Sequence, residues 1–222
     1  LIFWVWLYDT AVEKRTYRSM GFFGRKNFKN YFNGWLIGLS LTVLSALTIS
    51  VITGTYPTFF TNFRISSIGS ILIFFTIQGA SEEIVFRGWF MQSLSIRHKP
   101  WIGILLSTLI FTVVHAANPN FSFLAATNIL LIGFFLVLLI LHDGNLWSAC
   151  GFHTAWNFSM NSILGIHVSG AEIMGDSILK TNFSGNPAIT GGQFGLEGSI
   201  VVTAAIALCC VTLLFQKNPI KK

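Results

Sequence analysis

Three short segments of the chain carry side chains whose types and spacing could do chemistry: SEEIVFRG with Glu82, Glu83 and Arg87, FTVVH ending in His115, and HTAWN with His153 and Asn157. Glu83 and Arg87 stand four apart, so on a helix they share a face and can pair. Glu82 lies about 100° around that helix and is left freer for chemistry. His153 and Asn157 are also four apart and share a face. A carboxylate beside an imidazole can hold a water and take its proton. A second imidazole with an amide donor can stabilise the oxyanion formed when that water attacks a carbonyl. Such a set would hydrolyse amide bonds. Zinc is the other option, because Glu82, His115 and His153 would supply three ligands and leave a fourth position open. No HExxH pair supports it, so spacing favours catalysis without a cofactor. Ser81 adjoins the glutamates, but no GxSxG elbow marks it as a nucleophile.

The elements that position these residues follow from composition. Hydrophobic residues make up 53% of the 222, charged residues only 10%, and mean hydropathy is +0.66. A soluble domain carries about 25% charged residues, so a disordered chain, a nucleic-acid-binding module and an ordinary cytosolic enzyme are excluded. The expected class is all-α, a polytopic transmembrane bundle forming a single domain over 1–222, with a polar cavity at membrane depth. About 20 apolar residues span a bilayer. Leu1–Tyr8 reads as the tail of a truncated span. Trp35–Thr53, Ile65–Ser95, Trp101–Ala117, Phe121–Leu141, Leu146–Ile166 and Gly198–Phe215 bring the expectation to about seven. Asp9–Asn33 is basic and amphipathic, and the overlapping aromatic segment Tyr17–Trp35 reads as lying on the anionic leaflet, as a topology anchor or as a guide that leads a substrate to the site. His167–Glu197 is rich in Gly, Asn and Ser and reads as a loop. Cys150, Cys209 and Cys210 sit in apolar stretches as inert core thiols. His98, His142 and His167 fall at turns and read as surface residues.

If the spans alternate, Lys14, Arg15, Arg18, Arg25, Lys26, Lys29, Arg97, Lys99, Lys217, Lys221 and Lys222 all fall on one side, against Arg64 and Lys180 on the other. The positive-inside rule then places the C-terminus in the cytoplasm and the long loop outside. Ionised residues within spans cost at least about 2.5–3.5 kcal/mol each on insertion scales and mark function by default. At about 1.5 Å per residue, His115 lies about 21 Å, Glu82 about 20 Å and Asn157 about 16 Å from the cytoplasmic end of its own span. His153 lies nearer that end, at about 10 Å. Three helices therefore deliver these groups to one buried region.

The three segments resemble the EExxxR, FxxxH and HxxxN motifs of the CPBP intramembrane proteases, a family named for CAAX proteases and bacteriocin processing that includes the type II CAAX prenyl endopeptidase. Each motif is short, but three in the right order on successive spans are specific. The protease core that bears them runs over about 65–166, and the motif residues show no departure from the pattern. The resemblance implies that Glu82 and His115 activate water, that His153 and Asn157 form the oxyanion hole, and that Glu83 and Arg87 support the site. It implies an endopeptidase acting on membrane-associated proteins or peptides; one branch removes the last three residues of prenylated CAAX proteins, and bacterial members are linked to bacteriocin immunity. Compact size and short loops point to a bacterial inner membrane. Two other classes compete: an immunity or interaction protein acting by contact alone, and a proton-coupled transporter, against which stands the lack of an inverted repeat.

Overall fold

The computed structural model describes residues 2–14, 17–22 and 27–216. Arg15, Arg25, Lys26, Lys217, Lys221 and Lys222, all used in the topology argument, lie outside the described residues, as does the side chain of Arg18. Helix α1 is Ile2–Ala11 and α2 is Asn27–Thr53, followed by a two-residue strand β1 at Thr58–Phe59. Next comes one continuous 33-residue helical rod, Ile65–Arg97. It is built of α3 (Ile65–Glu83), a π-helical stretch over Ile84–Phe90, and α4 (Met91–Arg97). Then follow α5 (Pro100–His115), α6 (Phe123–Asp143) and α7 (Trp147–Phe158), the last running into a second π-helical stretch, Ser159–Leu164. Strand β2 (Leu179–Lys180), the short α8 (Pro187–Thr190) and α9 (Ile200–Phe215) complete the chain.

The all-α membrane class holds. Among the described residues, three helices are long and apolar enough to cross a membrane: Asn27–Thr53, Ile65–Arg97 and Phe123–Asp143. Helices α5 and α9 are apolar but have only 16 residues each, about 24 Å at helical rise. The expected count of about seven is therefore met by length in three elements. The reason is local. Pro119 biases the residue before it away from the helical region, so α5 stops at His115 and a turn over Ala116–Asn118 follows. The leading segment forms a helix of 10 residues. Large apolar side chains such as Leu44, Val51, Ile73, Ile77, Val113, Leu208 and Leu214 face outward, as they do where lipid is the solvent.

Helix α7 is the axis of the bundle. Every residue from Ser148 to Phe158 is buried, with α2 and α3 packed along it and α6 behind. The close approach of α2 comes from small residues at four-residue spacing, as in membrane helix pairs generally. Gly34, Gly38 and Thr42 are buried on α2. A Cβ at Gly34 would stand 1.9 Å from Ser148 O, and one at Gly151 would stand 1.9 Å from Tyr31 O. Because the obstacle is backbone on both sides, Gly151→Ala is expected to destabilise by at least the ~1–3 kcal/mol of ordinary overpacking. A lowered unfolding midpoint in detergent, with the exposed Gly69→Ala unchanged, checks it.

The two ends of the bundle are tied differently. At one end Glu13 accepts from Arg97 Nη2 at 2.9 Å and from Ser93 Oγ at 3.1 Å, and Leu146 N donates to Gly21 O. The N-terminal segment, the end of α4 and the start of α7 thus share one face. At the other end β1 pairs antiparallel with β2, Thr58 opposite Lys180 and Phe59 opposite Leu179. There Arg64 donates to Asp176 Oδ2 from its backbone N and its Nε, both at 3.0 Å. These bonds hold the half-buried Asp176 carboxyl below its usual range, the backbone bond contributing most. The α2–α3 connection and the long loop therefore share the opposite face.

The loop is more ordered than its composition predicts. Val168, Phe194, Leu196 and Glu197 are buried, and Gly170, with φ +81°, donates to Phe194 O. Of the histidines read as surface residues, His98 is exposed, whereas His142, bonded to Asp143, and His167 are half-buried. The three cysteines are free, with Cys150 and Cys210 in the core.

Candidate active site

Glu82 and Glu83 end α3 just before the wide turns of Ile84–Phe90, and Arg87 sits within them. The predicted pair forms: Arg87 Nη1 lies 3.0 Å from Glu83 Oε1, with neither side chain exposed. The guanidinium also lies over the Phe111 ring, 4.1 Å from its centroid. Ser107 of α5 donates to Phe86 O at 2.7 Å, binding the π-helical turn to its neighbour.

His153 projects from α7 between the two glutamates. Its Nδ1 lies 2.8 Å from Glu83 Oε1 and its Nε2 lies 3.7 Å from Glu82 Oε2. A carboxylate only accepts, so Nδ1 carries a proton and donates it to Glu83. Glu83 is thus shared by Arg87 and His153, a second partner that helical spacing alone does not supply. Gly79 makes this approach feasible: a Cβ there would already touch Thr154 N at 3.2 Å and His153 Cβ at 3.3 Å.

Glu82 is only partly buried, with its side chain 24% exposed. Oε1 accepts from Gln78 Nε2 one turn earlier. Gln78 Oε1 in turn accepts from Asn157 Nδ2 at 3.0 Å. That bond uses one of the two N–H groups of the amide and leaves the other. Oε2 of Glu82 is buried with no hydrogen-bond partner among the described residues. His115 closes α5 and donates from Nδ1 to Phe111 O at 2.8 Å, so in the neutral ring Nε2 presents a lone pair. Glu82, His115 and Asn157 line one cavity of about 540 Å³. Glu82 and His115 make no direct hydrogen bond with each other but line the same space, and Glu82 Oε2 lies 3.7 Å from His153 Nε2. His153 joins His115 and Asn157 in a narrow cleft behind it.

All six predicted residues therefore converge. The fit for zinc is poor. Both imidazole Nδ1 atoms donate to carbonyl or carboxylate partners, which leaves each Nε2 free as in metal-ligating histidines, but no group of three His, Cys, Asp or Glu among the described residues stands at metal-holding spacing. Glu82, His115 and His153 share a region without forming a ligand cage.

Sequence reasoning missed three contributors. Gln78 bridges Glu82 to Asn157, and only its position one turn before Glu82 hinted at this. Phe111, the first letter of FTVVH, lies under His115, His153 and Arg87. Glu197, taken as the end of a loop, is buried. It accepts from Trp156 Nε1 at 3.1 Å and from Ser169 Oγ at 2.6 Å, and its backbone oxygen accepts from Asn128. Trp156 stands one residue before Asn157, and Ser169 lines the cavity. Ser169 holds φ +49°, a left-handed backbone that costs an ordinary residue about 1–2 kcal/mol. Asn161, in the second π-helical stretch, bonds both N and O of Met174. The loop thus walls the cavity and is pinned at two points.

Residues 64–159 match the family model described as type II CAAX prenyl endopeptidase Rce1-like. That stretch takes in all three motifs. No curated protein and no solved structure matches the chain.

Proposed function

Since the chain carries a CAAX-protease-family domain over residues 64–159, we propose that it is an intramembrane endopeptidase acting on membrane-associated proteins or peptides, prenylated CAAX-type chains among the candidates. The observation that carries this reading is that Glu82 and His115, from two helices, line one cavity, with Glu82 Oε2 held by no hydrogen bond and His115 bonded through Nδ1 alone among the described residues. A water between them is polarised by both, and Glu82 takes its proton as the hydroxide adds to the scissile carbonyl. The free N–H of Asn157 and a protonated Nε2 of His153 receive the developing oxyanion. Glu82 then returns its proton to the amine nitrogen as the C–N bond breaks, leaving a carboxylic acid and an amine. Glu83 and Arg87 hold His153 in place from behind. No metal enters any step.

In this reading the chain is a multi-pass protein of a bacterial inner membrane. The face bearing Glu13 and Arg97, and with it the C-terminus, is cytoplasmic, because the basic residues collect there. The test is proteolysis by the purified protein in detergent, with a mixture of prenylated CAAX peptides and membrane peptides. Wild type is expected to cleave, His115→Ala to lose about 10²–10⁴-fold, the range of general acid–base assistance, and a strong chelator to change nothing. Loss on chelation with recovery on adding zinc would overturn the water-activating assignment.

A further inference from the structure

The loop that walls the cavity turns back on itself. Val168 and Ala171 exchange two backbone bonds, at 3.3 and 2.9 Å. Ser169 and Gly170 between them both hold positive φ, as in the tightest hairpins. The chain then runs on through Glu172, Ile173 and Met174 without helix or turn, all three exposed. Glu172 and Met174 line the cavity of Glu82 and His115, whereas Ile173 between them lines a second cavity. That alternation is the period of an extended strand. Both ends of the segment are pinned to elements that carry the proposed catalytic groups. Asn118, whose N–H donates to His115 O at 3.0 Å, donates from Nδ2 to Ser169 O at 2.9 Å. Asn161, four residues beyond Asn157, bonds both N and O of Met174 at 2.9 Å.

In a strand, the N–H and C=O of every second residue leave along the same edge. Those of Glu172 therefore point the way Met174's do. At Met174 the Asn161 amide accepts from the N–H and donates to the carbonyl, as a residue of a neighbouring strand does. At Glu172 neither backbone group has a partner among the described residues. Resting on the endopeptidase reading, we propose that Glu172 is a docking point for the substrate's main chain. One residue of the bound peptide, in extended form, exchanges both backbone bonds with it, the way peptides add to a sheet edge. A main chain is the fitting ligand because it presents a donor and an acceptor together on every second residue. The edge also borders the cavity in which Glu82 and His115 would cut a peptide bond. The pins at Asn118 and Asn161 set this edge in register with His115 and Asn157, so the docked chain is held across the proposed catalytic groups. The contact reads no side chain of the substrate, so it serves a prenylated C-terminal peptide and a membrane peptide alike. Glu172 is thus a positioning residue, and it acts through its backbone.

The experiment uses the full chain in detergent with two fluorescently labelled peptides: a prenylated CAAX peptide, and a membrane peptide of about 20 residues, the length of one span. Each is made with a single N-methyl group at successive residues, which removes one N–H and leaves every side chain in place. Binding (Kd, by anisotropy) and cleavage (kcat/KM) are read for wild type, Glu172→Ala and Glu172→Pro. With wild type, methylation at one residue of each peptide is expected to cost about 3–10-fold in both readouts, the worth of one or two backbone bonds. Glu172→Ala keeps its main chain and is expected to keep that penalty. Glu172→Pro has no N–H to give. Its penalty at the same residue is expected to shrink below about twofold, because a pairing already broken on one side is not lost again on the other. A flat N-methyl profile with wild type would overturn the proposal whatever the variants do, and so would a penalty of undiminished size in Glu172→Pro. Wild type that shows the expected Kd profile but cuts neither peptide counts against the endopeptidase reading and leaves the docking point standing. Wild type that binds neither peptide overturns the docking point.

Discussion

Glu82→Gln is expected to lower kcat/KM by about 10²–10⁴-fold, the contribution of a positioned general base, while the protein accumulates and unfolds as wild type does. The separation follows from what each oxygen of Glu82 does. Oε1 accepts from Gln78, and a glutamine can accept the same bond through its own carbonyl. Oε2 is the buried atom without a partner, and replacing it by an amide removes the basic lone pair without changing the volume. His153 loses an opposite charge 3.7 Å away but keeps its bond to Glu83, so the ring stays in place. Single-turnover cleavage alongside a thermal melt in detergent reads the two effects apart. Biological activity that survives Glu82→Gln would instead favour action by contact with a partner.

Arg87→Ala acts on the fold. Glu83 is fully buried, and removing one member of a buried pair costs about 3–5 kcal/mol because the other charge remains without compensation. A further loss comes from the Phe111 ring, over which the guanidinium lies. The expected result is a large drop in protein level together with activity. Arg87→Lys is expected to recover little, since an ammonium cannot reproduce the planar contact with Phe111. The control is the double variant Glu83→Gln with Arg87→Met, which removes both charges and should accumulate better than Arg87→Ala alone. A single variant with wild-type level and melting temperature would remove the pair from the account of stability.

Which residues would meet was legible in the order of amino acids, because intramembrane charge is rare enough that each instance carries information. Eight acidic residues in a chain with 53% hydrophobic residues leave little for chance, and helical period alone put Glu83 with Arg87 and His153 with Asn157 on common faces. Depth arithmetic then brought Glu82, His115 and Asn157 to one level, and they line one cavity. The span count was less legible. Apolar composition does not distinguish a helix that crosses from one like α7, which is buried by its neighbours.

Pairing across helices was not legible. His153, expected to serve the oxyanion with Asn157, is held by Glu83 at 2.8 Å, an arrangement set by the rotation of α7 against α3 that Gly79 permits. The π-helical stretches after Glu83 and after Phe158 have no marker in residue type, because they are stabilised by partners far along the chain: Ser107 for the first, and Ile178 and Thr181 for the second. Glu197 looked like the end of a polar loop and is a buried anchor for Trp156 and Ser169. Residue type and helical period, which act over a few residues, determined by themselves that this is a helical membrane protein with a cluster of ionisable and amide side chains at membrane depth. Which imidazole stands by which carboxylate, and that the loop walls the cavity, only the tertiary structure decided, because those contacts join residues 28 to 79 positions apart.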